Sequence, residues 1–115
     1  MNDSLQPFLA GHLPIEGVVA WSVRFPGSAA SSHCYHNWLS TAQAEQALDS
    51  LALAAKTLAS HGIQPLQLCS VFGHLRIHLS LREDGACLAL FVENRLTKAA
   101  DALNRLLEDF RVVNF

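Results

Sequence analysis

The segment from His74 to Val92 constrains the fold more than any other part of the chain. Leu75, Ile77, Leu79 and Leu81 alternate with His74, Arg76, His78, Ser80 and Arg82, the period-two signature of a strand with one apolar and one polar face. Glu83-Asp84-Gly85 follows as a hairpin turn, and Ala86 to Val92 is apolar on both faces. A strand of that second kind must be covered from above and below, so it is central, and the tight turn makes its neighbour antiparallel. The chain therefore needs an antiparallel sheet with other elements packed on its faces.

The remaining segments supply those elements. Pro65 to Phe72 reads as a third strand ending at Gly73. Glu16 to Phe25 reads as a strand with Val19, Trp21, Val23 and Phe25 on one face and Val18, Ala20, Ser22 and Arg24 on the other. Pro26-Gly27-Ser28 is turn punctuation, and Ser31 to Trp38 is the returning strand. Ser40 and Gln43 form a capping box, after which Ala44, Ala47, Leu48, Leu51, Ala55 and Leu58 make one helical stripe that Gly62 terminates after His61. Leu53 falls roughly 180° from Ala44 on this helix, among Gln46, Asp49, Lys56 and Thr57. Asn94 and Thr97 punctuate the start of a last helix with the stripe Leu96, Ala99, Leu103, Leu106, Leu107 and Phe110. A short first helix, capped by Asp3 or Ser4, carries Leu5, Phe8 and Leu9 and stops at Gly11 and Pro14. The apolar tail Val112 to Phe115 is expected to dock or to extend a strand. The order helix, two strands, helix, three strands, helix, with short strand connections, predicts an α+β sandwich in a single domain over residues 1–115.

Composition narrows the function. Of 115 residues, 50% are hydrophobic and 16% charged, whereas a small domain normally needs polar residues to cover its large relative surface. Part of the surface is therefore expected to be covered by another chain. Eight Lys+Arg against ten Asp+Glu give a net charge of −2, too balanced for nucleic-acid or anionic-membrane binding by bulk electrostatics. No apolar run approaches the roughly 20 residues of a membrane span. The first basic residue is Arg24, so the positive region of an export signal is missing, and the three cysteines are an odd number. A reduced, cytoplasmic protein without disulfides is expected.

Motifs for chemistry are absent or incomplete. There is no phosphate-cradling glycine loop, no Gly-x-Ser-x-Gly elbow and no His-Glu-x-x-His helix. Neither a catalytic residue nor a cofactor or metal site is assigned. His33-Cys34-Tyr35-His36 offers Cys34 and His36 on one strand face, two ligands where a structural zinc needs four. His74, Arg76 and His78 share a face as a cationic row roughly 13 Å long at pH 6, either a contact for an acidic partner or an ordinary solvated or helix-shielded face. Trp21 and Trp38 read as core or interface anchors.

The element order and several segments resemble the Roadblock-type dynein light chain domain. The resemblance rests on Ile15-Glu16-Gly17-Val18-Val19-Ala20, the Ala-rich helix from Thr41 to Ser60, the strands from Leu66-Gln67-Leu68 through Leu75-Arg76-Ile77-His78-Leu79, the run Glu83-Asp84-Gly85-Ala86-Cys87-Leu88-Ala89-Leu90, and the helix from Leu96 to Phe110. It implies a three-layer α/β/α sandwich around a five-stranded antiparallel sheet in the order α-β-β-α-β-β-β-α. It also implies a homodimer, or a pairing with a paralogous Roadblock-like chain, in which the middle helix meets its mate and the strand after it joins two sheets. Gln46, Asp49, Ser50, Leu53, Lys56, Thr57, Leu66 and Leu68 would line that interface. Family members commonly serve as platforms or regulators of small Ras-like GTPases and carry no catalytic machinery of their own.

The leading expectation is thus a non-enzymatic dimeric adaptor. The alternative is a small-molecule sensor of PAS-, GAF- or profilin-like architecture, with an interior opening around Trp21, Cys87 or Phe91. A third is an enzyme using Cys34 with His36 or a bound metal.

Overall fold

A computed structural model describes residues 5–37, 39–93 and 100–113. The elements run α1 (Leu5–Ala10), β1 (Val18–Arg24), β2 (Ser31–Cys34), α2 (Thr41–Ser60), β3 (Gln67–Phe72), β4 (Leu75–Leu81), β5 (Cys87–Glu93) and α3 (Ala100–Val112). All five strands form one antiparallel sheet in the order β2-β1-β5-β4-β3. The doubly apolar strand is therefore central, as its composition requires: six of its seven residues are buried.

The sheet is the middle layer of three. Leu88, Leu90 and Val92 of β5 turn to one face, where they pack with Leu103, Leu106, Leu107 and Phe110 of α3 and Leu5 and Leu9 of α1. Cys87, Ala89 and Phe91 turn to the other and pack with Ala44 and Leu48 of α2. Of the predicted stripes, α2 buries Ala44, Leu48 and Ala55 and partly covers Ala47, Leu51 and Leu58, and the described part of α3 buries Leu103, Leu106, Leu107 and Phe110. α2 begins with both halves of the capping box formed, Gln43 N–H to Ser40 Oγ at 3.1 Å and Ser40 N–H to Gln43 Oε1 at 2.9 Å. It ends where Gly62, at φ 82°, lets Ile63 N–H turn back to the Leu58 carbonyl. Gly85 closes the β4–β5 hairpin at φ 94°, a conformation that other residues rarely adopt.

Three expectations change. A β-bulge between Val18 and Ala20 shifts the β1 register, so Val18 packs with the α3 layer and Val19 joins Ala20 in the α2 layer. One extra residue reverses the alternation on one side of the bulge. The returning strand stops at Cys34 instead of running to Trp38, because Tyr35 to Asn37 bend away after Tyr35 N–H bonds the Val19 carbonyl. The described tail adds no strand; Val113 N–H continues the helical pattern to the Asp109 carbonyl. The caps Asp3 and Ser4, Trp38, the start of the last helix at Asn94, Leu96 and Thr97, and Phe115 lie outside the described residues.

Candidate functional site

The exposed apolar side chains gather on α2 and around β3. Leu53 is 65% exposed, Ile63 54%, Leu66 63%, Val71 65% and Phe72 55%. In this half-apolar chain the core takes up most of the described helical stripes and the central strand; beside these five, Tyr35 and Val112 are the other large apolar side chains left exposed among the described residues. Phe72, opposite Leu75, turns to the α2 face of the sheet, whereas Val71, opposite Arg76, turns to the α3 face; exposed apolar side chains of this size are what an interaction surface offers.

The residues predicted for the interface lie on α2 and around β3. Gln46, Asp49, Ser50, Lys56 and Thr57 are exposed on α2. Asp49 is tied to β1, accepting a hydrogen bond from Arg24 Nη1. The Thr57 hydroxyl donates back to the Leu53 carbonyl at 3.0 Å, which leaves its methyl group for contact. Leu68 differs from the rest: it is half-buried and packs against the α2-side core with Leu79 as its cross-strand partner. Ile63, Val71 and Phe72 were not picked out from the sequence. The available signal was position, since the first strand of a three-strand meander sits at the sheet edge. A groove of about 550 Å³ joins the two parts, with Leu53 and Lys56 on one wall and Gln64, Pro65 and Leu81 on the other.

The row of His74, Arg76 and His78 lies on the α3 face of β4, and it is graded rather than evenly solvated. His74 is exposed, Arg76 and His78 are partly covered, and Ser80 is buried with its hydroxyl donating to the Leu107 carbonyl at 2.7 Å. Burial, and then the neighbouring Arg76 charge, lower the His78 pKa below the ordinary histidine value. Full charge on the row at pH 6 is therefore not what the structure supports. A lowered folded-state pKa means that the unfolded chain binds the proton first, so this group removes stability as pH falls through the ordinary value of 6.5. Urea unfolding of wild type and His78→Gln at pH 7.5 and 5.5 checks this. The wild type should lose more stability on acidification than the variant, and equal losses would contradict it.

The remaining candidates disperse. His33 sits 4.6 Å from the Tyr35 ring and 6.3 Å from Trp21, on the α3 side of β2. Cys34 turns to the opposite side and packs on the α2-side core, and burial pushes its thiol pKa up. Cys87 is also raised, chiefly by burial, so neither thiol is primed as a nucleophile. Among the described residues no group of three or more His, Cys, Asp or Glu is placed to hold a metal. Of the residues suggested for a ligand, Trp21 is 6%, Cys87 4% and Phe91 1% exposed; Cys87 borders the groove beside Leu53, and Trp21 borders a second one with Leu9 and Leu13. No helix among the described residues is long and apolar enough to cross a membrane.

No family model and no curated protein matches the chain. Solved structures do. Myxococcus xanthus MglB superposes with a TM-score of 0.69 over 96% of this chain and 90% of its own, at 8% identity. A Roadblock/LC7 domain from Streptomyces avermitilis superposes with a TM-score of 0.62 over 90% of this chain and 92% of its own, at 15% identity. At such low identity the likeness speaks to architecture, and it spans nearly the whole chain. Strand order, layer arrangement and these superpositions agree that the chain has the Roadblock/LC7 fold.

Proposed function

We propose that residues 1–115 form one non-enzymatic Roadblock-like domain that dimerises and acts as an adaptor or regulator of a small Ras-like GTPase. The observation that carries the reading is the set of exposed apolar side chains Leu53 on α2, Ile63 and Leu66 in the connection that follows it, and Phe72 on the same face of β3, on a fold shared with a Roadblock/LC7 domain. The partner across that surface is a second copy or a paralogous Roadblock-like chain. Gln46, Asp49, Ser50, Lys56 and Thr57 surround Leu53, while Leu66 and Leu68 belong to the strand side. His74, Arg76 and His78 lie on the opposite face of the sheet and are the first place to test for GTPase contact. Three free cysteines, two of them at least half-covered, support a reducing, cytoplasmic setting.

Light scattering at micromolar concentration should report a dimer for wild type and a monomer for Leu53→Asp, with the melting temperature of the variant little changed because Leu53 is mostly exposed. A monomeric wild type would remove the dimer. Affinity capture on the immobilised chain should recover a Ras-like GTPase, and capture should weaken with Arg76→Glu. Recovery of none would reduce the reading to a scaffold.

A further inference from the structure

Among the described residues the sheet ends on two edges, four-residue β2 and six-residue β3. β3 reads Gln67-Leu68-Cys69-Ser70-Val71-Phe72. It has no lysine, no proline and no charge, the devices by which edges ordinarily avoid pairing. The ladder determines which of its backbone groups face outward. Leu81 N–H donates to the Leu66 carbonyl at 3.0 Å, and Arg82 N–H donates to the Ala86 carbonyl at 2.9 Å. Odd-numbered residues of β4 therefore turn their backbones to β3 and even-numbered ones to β5. Since Leu68 pairs with Leu79 and Ser70 with Ile77, the even residues of β3 bond inward. The N–H and C=O groups of Gln67, Cys69 and Val71 point out of the sheet.

That parity restricts what a second copy can do. Two-fold antiparallel pairing along this edge joins odd residues to odd residues. The register that uses all three sets Gln67 against Val71 of the partner subunit and Cys69 against Cys69 of the partner subunit. Charge is self-complementary in such an arrangement. The strand seam brings no like charges together, and on α2 Asp49 precedes and Lys56 follows Leu53. A two-fold axis near Leu53 sets Asp49 of one copy beside Lys56 of the other. Leu53 and Lys56 share a groove with Gln64 and Pro65 at the foot of β3, so the helix and strand surfaces are continuous.

We propose that the β3 edge takes β3 of a second copy in this register, so that a peroxide oxidises the two facing Cys69 thiols to a disulfide across the two-fold axis. The proposal rests on the dimer reading above and adds its register and a redox latch. Hydrogen-bonded residues opposite one another in antiparallel strands have Cα atoms about 5.5 Å apart, within the roughly 4.4–6.8 Å that a disulfide spans. Two S–H bonds and the peroxide O–O bond break, one S–S bond forms, and two waters leave. The thiols give up two electrons and the peroxide accepts them. Cys69 is exposed, whereas Cys34 is partly covered and Cys87 is buried, which directs the reaction to Cys69.

The full-length chain, reduced and then treated with hydrogen peroxide, is analysed by non-reducing electrophoresis, peptide mass spectrometry and light scattering. The expected result is a covalent dimer carrying a Cys69–Cys69 peptide, lost in Cys69→Ser and retained in Cys34→Ser. In a Cys69→Ser background, chains carrying Gln67→Cys and Val71→Cys should cross-link when mixed and not when oxidised separately. A light-scattering dimer that oxidises at Cys69 without cross-linking, or whose 67/71 mixture stays unlinked, overturns the register and leaves the dimer standing. A monomer before oxidation overturns the dimer reading and this proposal with it.

Discussion

Phe110→Ala is expected to cost about 3–5 kcal/mol, the range for truncating a fully buried aromatic side chain. Phe110 has no exposed surface, and it packs in the cluster that holds α3 and α1 on the sheet. Its ring lies 6.3 Å from that of Phe8 and 5.5 Å beneath the Arg82 guanidinium. Three separate segments thus meet on one side chain. Nearby, His12 Nε2 bonds Asp109 Oδ2 at 2.9 Å and ties the segment just after α1 to the residue before Phe110 on α3. Removing the ring leaves a cavity that neither the sheet nor a 13-residue helix can collapse to fill. Urea unfolding should show this loss at an unchanged m-value, and the melting temperature should fall by on the order of 10–20 °C. A loss below about 1 kcal/mol would mean that the cluster does not pack as described.

Arg82→Met comes second, at about 2–4 kcal/mol. Methionine keeps the aliphatic stem but supplies no donors. Arg82 Nη1 donates to the carbonyl of Phe110 and, at 2.6 Å, to that of Val113, while Nε reaches Asp84 at 3.1 Å. The arginine side chain is only 10% exposed. It therefore caps the C-terminus of α3 with a positive charge, where the helix dipole favours one, and fastens that helix to the β4–β5 hairpin. Asp84 adds a pH signature. Burial alone would raise its pKa, but the Ala86 N–H and the Arg82 charge together bring it below the ordinary value of 3.8. A lowered carboxyl pKa stabilises the fold above the unfolded value and ceases to do so as pH falls through the folded one. The gap between wild type and Arg82→Met should accordingly narrow on going from pH 7 to pH 3. A gap that stays constant would show that Arg82 acts on the helix end alone.

The legible parts of this fold are those whose determinants are local in sequence. The β4 alternation, the Glu83-Asp84-Gly85 turn, the Ser40 capping box and the Gly62 stop each need only a few neighbouring residues, and each is found where expected. What escaped the sequence depends on partners distant in the chain. The bulge at Val18/Ala20 exists only relative to β5. The end of β2 at Cys34 depends on where β1 stops offering pairs, and the shielding of His78 on packing along the α3 face. Among the exposed apolar side chains, Leu53 was legible from helical phase. Val71 and Phe72 were not, because a strand composed for burial and a strand at an edge awaiting a partner look alike until the sheet order is known.

The unequal edges of the sheet carry a consequence for size. A particle with two pairing-competent edges grows head to tail without limit, as fibrils do. Here the far edge is the four residues Ser31–Cys34, too short to template another sheet. On the proposed pairing, adhesion at one end only, and of a kind that closes on itself, would make assembly stop at two. The uncharged strand that would otherwise be an aggregation hazard would then be the element that sets a ceiling on growth.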